Sequence, residues 1–148
     1  MKTTDIRRSA LVLYSDRQMY DLVNDVAAYP LYMDGCERAE VIARGEHEMV
    51  AKMWLKKAGV GTSFTTRNRL QPPHSIELTL AEGPFSAFHG LWQFQALEQN
   101  ACKVSLDMEF ALSNSVLGAA VGMLFARVAD NMVSALIKRA QIVYGARA

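Results

Sequence analysis

Apolar residues recur along this chain at two spacings, and the switches between them mark out its elements. From Glu37 to Leu112 they fall at every second position, the repeat of a strand whose alternate side chains share a face. Met49, Ala51, Met53 and Leu55 line up within Glu48 to Lys57, with Lys52 and Lys56 opposite. Gly59-Val60-Gly61 then reads as a turn. Beyond it, Thr62, Phe64, Thr66, Asn68 and Leu70 alternate with Ser63, Thr65, Arg67 and Arg69. Pro72-Pro73 ends that run, because proline cannot donate to a ladder. Ile76, Leu78 and Leu80 mark another strand, an aromatic stretch at 86–97 the next, and Val104, Leu106, Met108 and Phe110 the last. A weaker strand reads at Glu40 to Ala43.

The flanks follow other rules. Thr4 to Leu13 reads as a first strand. Ser15 with Gln18 three residues on forms a capping box, and Met19, Leu22, Val23 and Val26 predict an amphipathic helix over 16–25. Tyr29-Pro30 limits its extension, and a second helical turn is expected over 27–33. After Phe110, Ser113-Asn114-Ser115 is a cluster of N-cap residues. A long helix should run from there to about Tyr144, closed by Gly145. The class is therefore α+β, in a single domain spanning 1–148. It is a curved antiparallel β-sheet of about six or seven strands wrapped around a long C-terminal α-helix, with one or two short helices after strand 1. A sheet with one apolar face needs a cover, and only the last helix is large enough to supply it.

The stretch Gly83-Pro84-Phe85-Ser86-Ala87-Phe88-His89-Gly90-Leu91-Trp92-Gln93-Phe94 carries the most specific pattern. Phe88, Gly90, Trp92 and Phe94 share one strand face, and the glycine leaves a gap in a bulky wall where a ligand or a crossing helix can approach. This stretch resembles the GPFxxxxGxWxF signature of the coenzyme Q-binding and ribosome-association-toxin (RatA) family, a branch of the START-like helix-grip proteins. Val26-Ala27-Ala28-Tyr29-Pro30-Leu31-Tyr32 is similar to the family's VxxYPxF segment. Phe125, Met132, Ala135, Arg139 and Ala140 fit its helix pattern, with Leu136 where phenylalanine is usual. The proline-tryptophan pair common before Cys36 is replaced by Met33-Asp34-Gly35. The resemblance implies a helix-grip fold and two activities. One is chaperoning an isoprenoid quinone in support of respiration; the other is a toxin that binds the large ribosomal subunit and blocks its association with the small one.

Composition narrows the field modestly. Of 148 residues, 51% are hydrophobic and 21% charged, and the formal net charge is +1. That balance argues against DNA or any nucleic acid held by bulk charge, while leaving room for a local patch. Cys36 and Cys102 are far apart, which fits a reducing compartment and no disulfide framework. His47, His74 and His89 lack metal-ligand spacing, and no HExxH, GxSxG, Walker or Rossmann motif occurs. Related folds include cyclases and hydrolases, but the residues nominate no catalytic group. The apolar run Val116 to Ala126 is too short to span a bilayer, and the N-terminus lacks the apolar core of a signal peptide. A cytoplasmic protein is expected, and the same features suit a transient visitor to a membrane surface.

The leading expectation is non-enzymatic binding of a hydrophobic small molecule, by resemblance ubiquinone or another isoprenoid quinone or lipid, held without a covalent bond. Phe88, Gly90, Trp92 and Phe94 on the sheet, with Leu117, Val121, Leu124 and Val128 on the helix, are its expected contacts. The Tyr29-Pro30 segment and the Gly59 turn are the expected gates. The alternative is the ribosome-binding toxin, with Lys52, Lys56, Arg67 and Arg69 on one outward face as its RNA contact.

Overall fold

The computed structural model describes residues 3–113 and 118–146. Among these, seven strands form one antiparallel sheet: β1 (Thr4–Val12), β2 (Cys36–Arg44), β3 (Glu48–Lys57), β4 (Val60–Gln71), β5 (Ser75–Glu82), β6 (Phe85–Glu98) and β7 (Ala101–Leu112). Their order is β1-β7-β6-β5-β4-β3-β2. Six of the strands form a meander from β2 to β7, and β1 closes onto β7 at the far edge. Between β1 and β2 lie α1 (Asp16–Asn24) and a 3-10 helix (Val26–Leu31). α2 (Gly118–Tyr144) lies over the apolar face of the sheet.

Local chemistry explains most boundaries. Ser15 caps α1 with its hydroxyl accepting from the Gln18 N–H at 3.1 Å, while the Gln18 side chain accepts from the Ser15 N–H at 2.9 Å. Both halves of the capping box are thus made. α2 ends at Gly145, whose φ of +91° and N–H bond to the Gln141 carbonyl make a left-handed cap. Its last turn is tied down by Tyr14 Oη donating to the Gly145 carbonyl at 2.7 Å and Tyr144 Oη donating to the Gln18 carbonyl at 2.9 Å. Asn114 and Ser115, two of the expected cap residues, lie outside the described residues. α2 is long and apolar enough to cross a bilayer by composition. Here Leu124, Phe125, Val128, Ala129, Met132, Val133, Leu136 and Ala140 bury its inner face in the core.

Three expectations are corrected. β2 starts at Cys36 rather than Glu40, and its pairing with β3 is broken by irregularities at Cys36/Arg38 and Val41/Ala43. An extra residue on one strand disrupts the period-two pattern from which the strand would be read. The β3–β4 turn is Ala58-Gly59, not Gly59-Val60-Gly61, with positive φ of 52° and 81° at the two positions. That conformation matches the twist of a two-residue hairpin. A turn centred on Gly59-Val60 would pair Lys52 with Arg67 and Lys56 with Ser63; instead Lys52 sits opposite Thr65 and Lys56 opposite Gly61, a shift of two residues. A shift of two preserves the face on which each residue stands.

Candidate functional site

The apolar side of the sheet and α2 enclose a cavity of about 50 Å³. Phe88 and Trp92 line it from β6, Met53 and Leu55 from β3, Met108 from β7, and Phe125, Val128, Ala129 and Met132 from α2. Val26 and Tyr29 close one side from the 3-10 helix. Tyr29 is buried and its hydroxyl donates to the Val23 carbonyl, which ties this helix to the end of α1. Burial holds the Tyr29 phenol well above its ordinary pKa, so it is a neutral donor. Three polar side chains interrupt the lining: Asn24, Thr66 and Asn68. Thr66 Oγ1 donates to Asn68 Oδ1 at 2.7 Å, and Asn24 Oδ1 is buried with no protein partner.

The expected wall residues divide. Phe88, Trp92 and Val128 line the cavity. Phe94 is buried beside it, stacked against Trp92 at 6.3 Å between centroids and edge-on to Tyr20 at 5.7 Å. Leu124 and the half-buried Val121 lie further along α2, with Leu124 bordering a surface groove at the Ala58 turn. Leu117 lies outside the described residues. Gly90 does not leave a gap. A Cβ placed there would meet Leu78 Cδ1 at 3.1 Å and Met108 Sδ at 3.2 Å. These are its own cross-strand partners, leaning in from β5 and β7.

Sequence reasoning missed the ring cluster that closes one end of the core. Phe125 meets Phe64, Phe85, Phe88 and Phe110 at centroid distances of 5.4, 5.0, 5.8 and 4.7 Å. It also missed Asn24, Thr66 and Asn68. Thr66 and Asn68 carried a signal, since polar residues at two consecutive inward positions between Phe64 and Leu70 are unusual in a core strand.

Volume decides what this cavity can hold. Ligand pockets typically measure about 300–1,000 Å³, whereas a water needs about 10–15 Å³. The cavity of about 50 Å³ has room for a few waters and not for an isoprenoid quinone. The lining has suitable chemistry for an apolar ring with polar oxygens; the space does not fit one.

The two cysteines and His89 are the remaining candidates for reactive groups among the described residues. Cys36 and Cys102 are both buried and free. Burial pushes each thiol up to about 11, so neither is a nucleophilic thiolate at neutral pH. His89 is exposed and sits 2.9 Å from Glu77 on the outer face. Among the described residues no group of three His, Cys, Asp or Glu side chains could hold a metal ion.

The outer face is the second candidate. Lys52, Lys56, Arg67 and Arg69 stand on the solvent side of β3 and β4, as their alternation with buried Met49, Ala51, Phe64 and Asn68 requires. Their charges are not equivalent. Arg67 pairs with Glu48 at 2.9 Å, and Arg69 lies 3.8 Å from Glu77. Lys52 Nζ instead lies 4.8 Å from the centroid of Trp54. Among the described residues neither Lys52 nor Lys56 has a carboxylate within ion-pair distance.

Comparison with known proteins bears on the family and the fold. Residues 12–137 match the family described as polyketide cyclase / dehydrase and lipid transport. The fold resembles the aromatase/cyclase ZhuI of Streptomyces sp. R1128 with a TM-score of 0.79, over 99% of this chain and 100% of that one, at 14% identity. At the sequence level the chain is 43% identical over 143 residues to the ribosome association toxin RatA of Pseudomonas aeruginosa, covering 97% of this chain and 99% of the relative. A more distant likeness, 22% identical, is to the mitochondrial coenzyme Q-binding protein COQ10 homolog B of Xenopus laevis, covering 97% of this chain and 61% of that protein. With 43% identity sustained over nearly the full length of both chains, this protein belongs to the ribosome association toxin RatA family, within the wider family of polyketide cyclases, dehydrases and lipid-transport proteins.

Proposed function

We propose that this protein acts in the cytoplasm by binding the large ribosomal subunit and blocking its joining to the small one, without catalysing a reaction. The observation that carries the reading is the 43% identity to a ribosome association toxin along 97% of the chain. The cavity supports it indirectly. Burial stabilises an apolar ligand by about 25 cal/mol per Å², and a space of about 50 Å³ buries only a small fragment. As folded, the chain's capacity for a large partner lies on its surface. Cations on the outer face of β3 and β4 displace counterions from rRNA phosphates, and the bulk of the domain then obstructs the subunit interface.

Sedimentation tests this reading. Added to purified subunits under conditions that favour joining, the protein should migrate with the large subunit and reduce the joined-ribosome peak. Its binding should weaken linearly in log affinity against log salt, by about 0.7–0.9 per phosphate neutralised. The double variant Lys52→Gln/Lys56→Gln should flatten that slope more than Arg67→Gln/Arg69→Gln, because the arginines already have Glu48 and Glu77 as partners. No co-migration at low salt would refute the reading.

A hydrophobic ligand is the second reading, favoured by the apolar lining with its buried Asn24 oxygen. An isoprenoid quinone or lipid fits only if α2 or the 3-10 helix around Tyr29 moves away from the sheet. Any transient contact with a membrane surface belongs to this reading.

A further inference from the structure

The solvent face of β2 and β3 carries an aromatic ring that the core does not need. Trp54 is half-buried on the side of β3 opposite Met53 and Leu55. Its cross-strand partners are Arg38 on β2 and Ser63 on β4. The guanidinium carbon of Arg38 lies 4.7 Å from the indole centroid and Lys52 Nζ lies 4.8 Å from it. Ser63 is too short to cover an indole. The chain has one other tryptophan, Trp92, and that ring is buried. Charge on this face is uneven. Arg67 and Arg69 face carboxylates, and Arg38 shares its charge with Glu40 at 2.7 Å. Lys52 has Glu40 opposite it on β2 but, among the described residues, no carboxylate within ion-pair distance, and its partner is the ring, while Lys56 stands exposed two residues beyond Trp54.

We propose that Trp54, flanked by Arg38 and Lys52, is a stacking platform for an unpaired RNA base, with the two cations taking the adjoining phosphates. The proposal rests on the ribosome reading and names the RNA chemistry this face would meet. Flat sheet surfaces bind single-stranded RNA in this way, because an aromatic ring on a strand presents its face to a splayed-out base. Base stacking on an aromatic is worth about 5- to 150-fold in affinity, and the two cations over the ring together about 5- to 30-fold. A strongly stacking base displaces the cations from the indole. The freed side chains stay within reach of the phosphates on either side. Paired RNA offers no free base face, so loops and bulges of rRNA are the substrate class.

The test uses the whole protein, a short fluorescein-labelled oligouridine as probe, and purified large subunits. Anisotropy should report oligouridine binding that Trp54→Ala weakens by about 5- to 150-fold and Trp54→Phe largely retains. Co-sedimentation with the subunit should follow the same ranking, with thermal unfolding unchanged. Should Trp54→Ala fail to fold, Trp54→Leu, which keeps bulk without an aromatic face, gives the same comparison against Trp54→Phe. If the wild type binds the subunit while Trp54→Ala binds it and the oligomer equally well, the platform is overturned and the ribosome reading survives. If oligouridine binding depends on Trp54 but the wild type never co-sediments with the subunit, the platform holds and the ribosome reading fails. Loss of binding to phosphatidylserine vesicles with RNA binding intact would overturn the platform in favour of a membrane contact.

Discussion

Replacing Gly90 gives opposite signs for a small and a large side chain, and the structure supplies the reason. A Cβ at Gly90 would meet Leu78 Cδ1, Met108 Sδ and Met108 Cε at 3.1, 3.2 and 3.3 Å. All three atoms are far ends of flexible side chains, and both residues border the cavity of about 50 Å³. They can yield by a few tenths of an ångström without moving backbone. Gly90→Ala should therefore stabilise by up to about 1 kcal/mol, from the strand entropy that glycine forfeits. Leucine adds three more carbons, each worth about 0.8 kcal/mol only if it finds room. Leu78 and Met108 would have to vacate their positions, and the cavity is too small to receive both. Overpacking of this kind costs about 1–3 kcal/mol. For a domain of this size 1 kcal/mol moves Tm by about 2–4 °C. Circular-dichroism melts should thus place Gly90→Ala up to about 4 °C above the wild type and Gly90→Leu about 2–12 °C below it. A leucine variant as stable as the wild type would mean that the wall does have an opening at Gly90, and would restore the ligand interpretation of that glycine.

Two further outcomes follow from the scaffold. Gly35→Ala should cost about 2–3 kcal/mol in denaturant unfolding, because Gly35 has φ of +92° and its Cβ would lie 2.9 Å from Val128 Cγ2. An unchanged midpoint would contradict the close approach of this loop to α2. Raising the pH should destabilise the protein from about pH 9 upward. Burial pushes Cys36 and Cys102 from 9.0 to about 11 and raises Tyr20, Tyr29, Tyr32 and Tyr144 as well. Between those values the unfolded chain has released protons that the folded chain retains, so stability falls as pH rises. A urea midpoint that stays flat from pH 8 to pH 11 would refute this.

The fold was readable because its signals are local or periodic. Ser15 and Gln18 announce a capping box, Gly145 a helix end, and Met49 to Leu55 a one-sided strand. Where the reading slipped, one residue broke the period. The irregularities in β2 hid half of that strand, and Ala58 adopts a positive φ that its side chain does not advertise. The site was less legible. Phe88, Gly90, Trp92 and Phe94 share a face as alternation requires, but alternation does not tell a cavity wall from a packed one. That depends on Leu78 and Met108, which enter from neighbouring strands. Trp54 went unnoticed for a related reason. Alternation puts Trp54 on the Lys52 and Lys56 side of β3, but only pairing places Arg38 beside it, and Arg38 lies on the strand whose start was misread.

These contacts also explain how one signature can accompany two activities. The residues of the GPFxxxxGxWxF stretch do structural work. A Cβ at Gly83 would come within 2.8 Å of Phe64 Cβ, the Pro84 carbonyl accepts from the Ser113 N–H, and Phe85 packs between Phe64 and Phe125. Gly90 admits its cross-strand neighbours, and Trp92 and Phe94 fill the core beside Tyr20. The signature therefore specifies how α2 seats on the sheet. It constrains the cavity only through packing and the outer face of β2 to β4 not at all. A change of function within this scaffold needs no change in the signature. Phe125 and Met132 take up space between α2 and the sheet, and Trp54, Arg38 and Lys52 stand on a surface that the core does not govern. Surface and core can therefore be tested apart: Trp54 stands on the outer face, and its replacement should leave the packing around Gly90, and so the melting temperature, unchanged.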